Sequence, residues 1–136
     1  MKITEQQTRA IIDAATAEAR RMGKSISVAV VDAGGYMLGL LRMEGCGFLS
    51  PQIAEAKAFS AAAMRRSIAD IAERARQRPE TWNAFTNIGR TKLIPGLGGL
   101  PIRVNDEVVG AVGVSGATAE EDEAICQAAI VTVTKS

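Results

Sequence analysis

Apolar and polar positions follow two different periods along this chain, and the changes of period mark out its elements. Ile11, Ala15, Ala19 and Met22 recur at helical spacing while Glu18, Arg20 and Arg21 fall elsewhere, which predicts a first helix ending at about Met22. Thr4-Glu-Gln-Gln7 has the form of a capping box at its start, and Gly23 suits a left-handed cap at its end. Ser25–Asp32 is then an almost unbroken Ile/Val/Ala run, the pattern of a strand covered on both faces or of a central antiparallel strand. Asp32-Ala-Gly-Gly35 reads as a turn, and Tyr36–Met43 as the returning strand of a hairpin. A loop, Glu44–Leu49, follows. Ser50-Pro51 predicts a helix start with serine as N-cap and proline at the first helical position.

The helix predicted over Gln52–Arg65 is dense in alanine, with Ala54, Ala58, Ala61 and Ala62 on one side. Such a surface admits another backbone closely, either the sheet or a second copy of the chain. Ser67-Ile-Ala-Asp70 restarts a helix that runs to about Arg78 and stops before Pro79. Trp82 and Phe85 are expected to pack this segment onto the body, and Thr91–Ile94 to form a short strand. Leu100–Val104 and Glu107–Ser115 read as a second hairpin joined by Asn105-Asp106, residues that tolerate the positive φ of a primed turn. Thr118-Ala-Glu-Glu121 is another capping box, and Ile125, Ala129 and Val133 share one face of the last helix. The order α-ββ-αα-ββ-α predicts an α+β fold, a single domain over 1–136, with a mostly antiparallel sheet of about five strands flanked by helices.

Glycines punctuate the second hairpin. Gly110 and Gly113 sit inside a predicted strand, where glycine signals a bulge or a close approach by another group. Gly96-Leu-Gly-Gly99 carries one bulky side chain, so its amides either face an anion or flat ligand or simply give a flexible strand entry. It is no dinucleotide fingerprint, since it leads into a strand and lacks the third glycine in register. There is no P-loop. Gly113-Val-Ser-Gly-Ala misses the nucleophile-elbow pattern by one residue, and Ser115 as nucleophile would need a lysine as its base.

Composition then narrows the chemistry. The chain has no histidine, which removes Ser-His and Cys-His pairs, His-ligated zinc and the usual His ligation of haem iron. A net charge of +1 gives no field for nucleic acid or a membrane surface. Arg65, Arg66, Arg74, Arg76 and Arg78 are interleaved with Asp70, Glu73 and Glu80, the pattern of a solvated, ion-paired face. Cys46 and Cys126 stand apart and outside any metal-ligand spacing, so reduced thiols are expected. No apolar run reaches a membrane span and the N-terminus lacks a signal-peptide core, so the expected location is cytoplasmic. Lys57 has no acidic neighbour three or four residues away. It is either a snorkelling surface lysine or the partner of a distant carboxylate, or else the positive group of a pocket or a base.

Val30-Val-Asp-Ala-Gly-Gly-Tyr, Leu41-Arg-Met-Glu-Gly, Ile53-Ala-Glu-Ala-Lys-Ala, Gly98-Gly-Leu-Pro-Ile, Gly110-Ala-Val-Gly-Val-Ser-Gly-Ala and Glu121-Asp-Glu together resemble the GlcG/HbpS-like family, the domain of unknown function 336. The likeness covers nearly the whole chain. It implies a compact α+β domain assembled into homo-oligomers, with members described as haem-binding or redox-sensing and others placed in catabolic operons. The chain departs from the family pattern at Arg42-Met-Glu-Gly-Cys46, where Arg-Met-Asp-Gly-Ala is common, and at Arg66-Ser-Ile, where a Pro-Thr pair is common. Haem is the one cofactor the resemblance implies, and without histidine the iron would fall to Met43, Cys46 or Tyr36. No metal site is expected otherwise.

Two functions follow, with a small molecule as the partner in both. In the first the protein binds haem or another tetrapyrrole, the ligand-binding residues being Arg42, Glu44, Cys46, Gly98, Gly99, Arg103 and Ser115, with Lys57 also available to a propionate. In the second it is a cofactor-free enzyme of the hydrolase, decarboxylase or tautomerase type acting on a small carboxylate. There Lys57 and Asp32 are catalytic, Arg42 or Arg103 holds the carboxylate, and the Gly98 and Gly99 amides meet an oxyanion. A purely structural role, with the alanine helix as the oligomer interface, is the third.

Overall fold

The protein is described by a computed structural model covering residues 1–134. Its order is α1 (Glu5–Arg21), β1 (Ser27–Asp32), β2 (Met37–Arg42), α2 (Ser50–Met64), α3 (Ile68–Gln77), α4 (Pro79–Phe85), β3 (Gly99–Val104), β4 (Glu107–Ser115) and α5 (Ala119–Thr134). The four strands form one fully antiparallel sheet in the order β2-β1-β4-β3. The α+β class stands, with four strands in place of about five. Thr91–Ile94 is the missing one. Part of its backbone is engaged elsewhere, Leu93 bonding Thr86 through both its amide and its carbonyl and the Ile94 amide donating to Ser60 Oγ at 2.8 Å.

Local signals set most element ends. The Thr4–Gln7 box forms both of its bonds, and Gly23 takes φ +72° after α1. Asn105 and Asp106 turn the second hairpin with φ of +53° and +65°. Ser67 caps α3 as predicted. Ser50 does not cap α2. The helix starts one residue earlier, and the Ser50 hydroxyl turns inward to the Gly47 carbonyl and to Ser27 Oγ, at 2.7 and 2.8 Å. Pro79 ends α3 and also opens the short α4, where its missing donor is harmless.

The sheet is a middle layer. Val28, Val30, Ile102, Val112 and Val114 point to α1 and α5, burying Ile11, Ile26 and Ile125 in the larger core. Each fully buried isoleucine contributes about 2 kcal/mol. Ala29, Val31 and Ala111 point the other way, to the alanine stripe of α2. This settles the partner of that stripe. It is the sheet, so the alanine face is not free to serve as an oligomer interface. At Gly113 a Cβ would stand 2.1 Å from the Ala54 carbonyl oxygen, so the glycine lets α2 lie directly on β4. No helix among the described residues is long and apolar enough to cross a membrane.

Candidate functional site

Lys57 leaves α2 beside the stripe that faces the sheet, and β3 begins directly across it: a Cβ on Gly99 would lie 2.7 Å from the Lys57 carbonyl oxygen. The side chain passes the end of the sheet. Its Nζ donates to the Val114 carbonyl at 2.8 Å and meets Asp122 Oδ2 of α5 at 3.2 Å. Both side chains are nearly sealed, at 11% and 5% exposure. The distant carboxylate is therefore Asp122, whose second oxygen accepts from the Ala117 amide at 3.0 Å.

The ladder opens at this point. Gly98 stands opposite Val114, one step beyond the Gly99–Gly113 pair, and the Val114 amide donates to the Gly98 carbonyl at 2.8 Å. The returning bond is absent. The Gly98 amide instead donates to Glu123 Oε1 at 2.8 Å, and Lys57 takes the carbonyl that amide would have met. Two charged side chains thus satisfy the two halves of one sheet bond, each by a charge-assisted contact. Gly98 holds φ +91°, and a Cβ there would press Asp122 and Val114 at 2.8 and 2.9 Å.

The other predicted site residues divide by strand position. Ser115, Ser27 and Arg42 lie in one row across the sheet at the Lys57 end. Cys46 sits over that row, with Sγ 3.0 Å from Ser50 Oγ and 3.9 Å from the Ser115 carbonyl. Arg42 and Glu44 line a cavity of about 430 Å³ with Arg20 and Met43. Asp32 and Arg103 lie toward the opposite end. Asp32 pairs with Gly110, four residues from Val114 and so roughly 13 Å away along the strand. Its Oδ1 accepts from the Gly34 and Tyr36 amides at 2.9 and 3.0 Å and shapes the first hairpin. Arg103 donates to the Arg65 carbonyl at the left-handed end of α2. The structure therefore brings Lys57, Gly98, Gly99, Cys46, Ser115 and Arg42 to one end and keeps Asp32 and Arg103 from joining them.

The sulfur donors also separate. Met43 Sδ accepts from the Ile26 amide at 3.4 Å and packs against the larger core. Burial pushes the Cys126 thiol far above its usual range, and it donates to the Val112 carbonyl at 3.3 Å. Tyr36 is exposed beneath the Arg90 guanidinium, 3.9 Å from its ring centre. Among the described residues no group of three or more Cys, Asp or Glu is set to hold a metal ion.

One feature escaped the sequence reading. Between α3 and α4 lies a groove of about 640 Å³, lined by Met64, Arg66, Arg74, Arg78, Trp82 and Phe85 with Asp70 and Glu73. The sequence predicts a solvated, ion-paired face for this basic stretch. Glu73 does pair, with Arg76, which holds its carboxyl below the usual range. Arg74 and Arg78 have no side-chain partner among the described residues. The available signal was the spacing of Arg78, Trp82 and Phe85, one face of a helix beginning at Pro79.

Set beside known proteins, residues 3–131 match the family model described as haem degrading protein HbpS-like. Protein GlcG of Escherichia coli (strain K12) is 36% identical over 119 residues, covering 83% of this chain and 81% of that protein. A double mutant of Streptomyces reticuli HbpS superposes with a TM-score of 0.88 at 28% identity, covering 98% of this chain and 88% of that one. A PduOC complex with haem superposes equally well, at 0.88 over 98% and 96% of the two chains; at 23% identity it speaks for the fold alone.

Proposed function

The chain belongs to the HbpS-like family, and on that premise we propose that it is a small-ligand-binding protein that takes haem or another tetrapyrrole without histidine ligation. The observation that carries this reading is the family match across residues 3–131, which leaves almost none of the chain outside it. Such a ligand needs apolar surface for its ring and cations for its carboxylates. The residues present fit those needs, since arginines, aromatic rings and a thioether share one wall of the molecule. When bound, haem supplies redox and ligand-exchange chemistry at iron. With no histidine, a sulfur or a phenolate would be among the groups available to that iron. The cofactor-free enzyme finds less support. Its two proton-moving residues, Lys57 and Asp32, stand apart, and each is already bonded within the fold.

The same reading carries assembly with further copies of the chain, in the cytoplasm. What supports assembly is the edge strand β2, where Leu38 and Leu40 are 40% and 44% exposed, with Tyr36 just before it at 60%, beside an unpaired row of backbone groups. Binding is tested by titrating the protein with hemin and following the Soret band. A saturable shift at one hemin per chain is expected, and an unshifted spectrum at excess protein would overturn the reading.

A further inference from the structure

We propose that the α3–α4 groove seats the tetrapyrrole, with Arg74 and Arg78 taking its carboxylates and Trp82 and Phe85 its flat face. This rests on the binding reading above. Each helix turns one periodic face to the groove: Asp70, Arg74 and Gln77 from α3, and Trp82 and Phe85 from α4, with Arg78 at the junction between them. The opposite stripe of α3, Ile68 and Ile71, is fully buried against the body and fixes the helix in place. The faces turned to the groove are thus left over after the core has been satisfied.

Helix α4 keeps much of its surface outside the core. It has seven residues and buries none of them, although it carries the only tryptophan of the chain. So short a helix has little stability of its own. Trp82 touches the smaller core with part of its surface, and the rest of the ring, with Phe85, faces the groove. Stacking a planar conjugated ligand on these rings removes that apolar surface from water.

Charge fixes what else the ligand carries. Of the lining carboxylates Glu73 is matched by Arg76, and Asp70 lies one turn before Arg74, away from the α4 end. Among the described residues Arg74 and Arg78 stand unmatched at that end, and Arg66 closes the α2 side, its Nε bonded to the Met64 carbonyl at 3.3 Å. Unpaired guanidiniums next to aromatic faces suit a flat apolar body that ends in carboxylates. The volume of about 640 Å³ lies well within the range of small-molecule sites.

The test is a hemin titration of wild type, of Arg74→Gln/Arg78→Gln and of Arg74→Glu/Arg78→Glu, with circular dichroism and a melting curve for each. Both arginines are exposed, so the glutamine variant is expected to fold even if charge reversal does not. Affinity is expected to fall at least tenfold in the glutamine variant and further in the glutamate variant. Metal-free protoporphyrin is expected to show the same ranking, because the carboxylates are shared. If wild type binds hemin and a folded glutamine variant binds it equally well, the groove is the wrong seat while the binding reading stands. Loss of binding in Arg20→Gln/Arg42→Gln alone would place the ligand at the cavity beside α1 and overturn the assignment. If wild type fails to bind, both fall.

Discussion

Lys57 holds its position through two acceptors on different elements, the Val114 carbonyl and the Asp122 carboxylate. A buried pair of this kind adds little over an apolar pair, but removing one partner strands the other. Lys57→Met is therefore expected to cost about 3 kcal/mol, because Asp122 is left buried without its cation and the Val114 carbonyl loses its donor. Lys57→Met/Asp122→Leu is expected to recover part of that loss, though not all, since the Ala117 amide also rests on Asp122. Urea unfolding of the two variants checks both statements; equal stability of wild type and the single variant would refute them. Nothing local in the sequence pairs these residues. They lie 65 positions apart on helices covering opposite faces of the sheet, and only the strand order brings them together at its end.

Helix ends and turns, by contrast, are decided within a few residues, and there the sequence was legible. Asn105-Asp106, the Thr4–Gln7 box and the Thr118–Glu121 box behave as their side chains require. Bonds from the Thr118 amide and hydroxyl region hold the Glu121 carboxyl below its usual value near 4.5. A depressed folded value means that the contribution is full above the unfolded value and is lost as pH falls through the folded one. Glu121→Gln is thus expected to melt below wild type at about pH 7, with the gap closing toward about pH 3. A gap unchanged across that range would show the carboxylate charge to be irrelevant to the cap. Ser50 shows where local reading stops. Its sequence setting is that of an N-cap, but a buried hydroxyl follows its neighbours, and Ser27 and Gly47 outcompete the helix end.

Across the whole molecule, strand order decided which candidate residues meet. Arg42 and Arg103 were interchangeable on paper as carboxylate holders; in the fold they occupy different strands at the two edges of the sheet and opposite ends of it. The groove was hidden for a related reason, because a helix–proline–helix run reveals its faces only once the angle between the helices is known. Edge strand β2 carries the remaining expectation at this scale. Leu38→Lys/Leu40→Lys is expected to lower the sedimenting mass toward that of one chain while leaving the melting temperature within a few degrees. A wild-type protein already sedimenting at 14.3 kDa would remove β2 as a contact between copies.

The open ladder step at Gly98 and Val114 has a further consequence, for how the molecule comes apart. The valine-rich and alanine-rich clusters lie on opposite sides of the sheet, and Lys57 ties the helix of one to the helix of the other. Peeling α5 away takes the carboxylate from the Lys57 ammonium, and lifting α2 takes the ammonium from the Asp122 carboxylate, so whichever layer leaves strands a charge in the other. The amides of Gly98 and Val114 are therefore expected to exchange with solvent only in the global unfolding event, although they sit at the end of the sheet, where fraying would otherwise begin; native-state hydrogen exchange checks this, and exchange of either amide well below the global free energy would refute it.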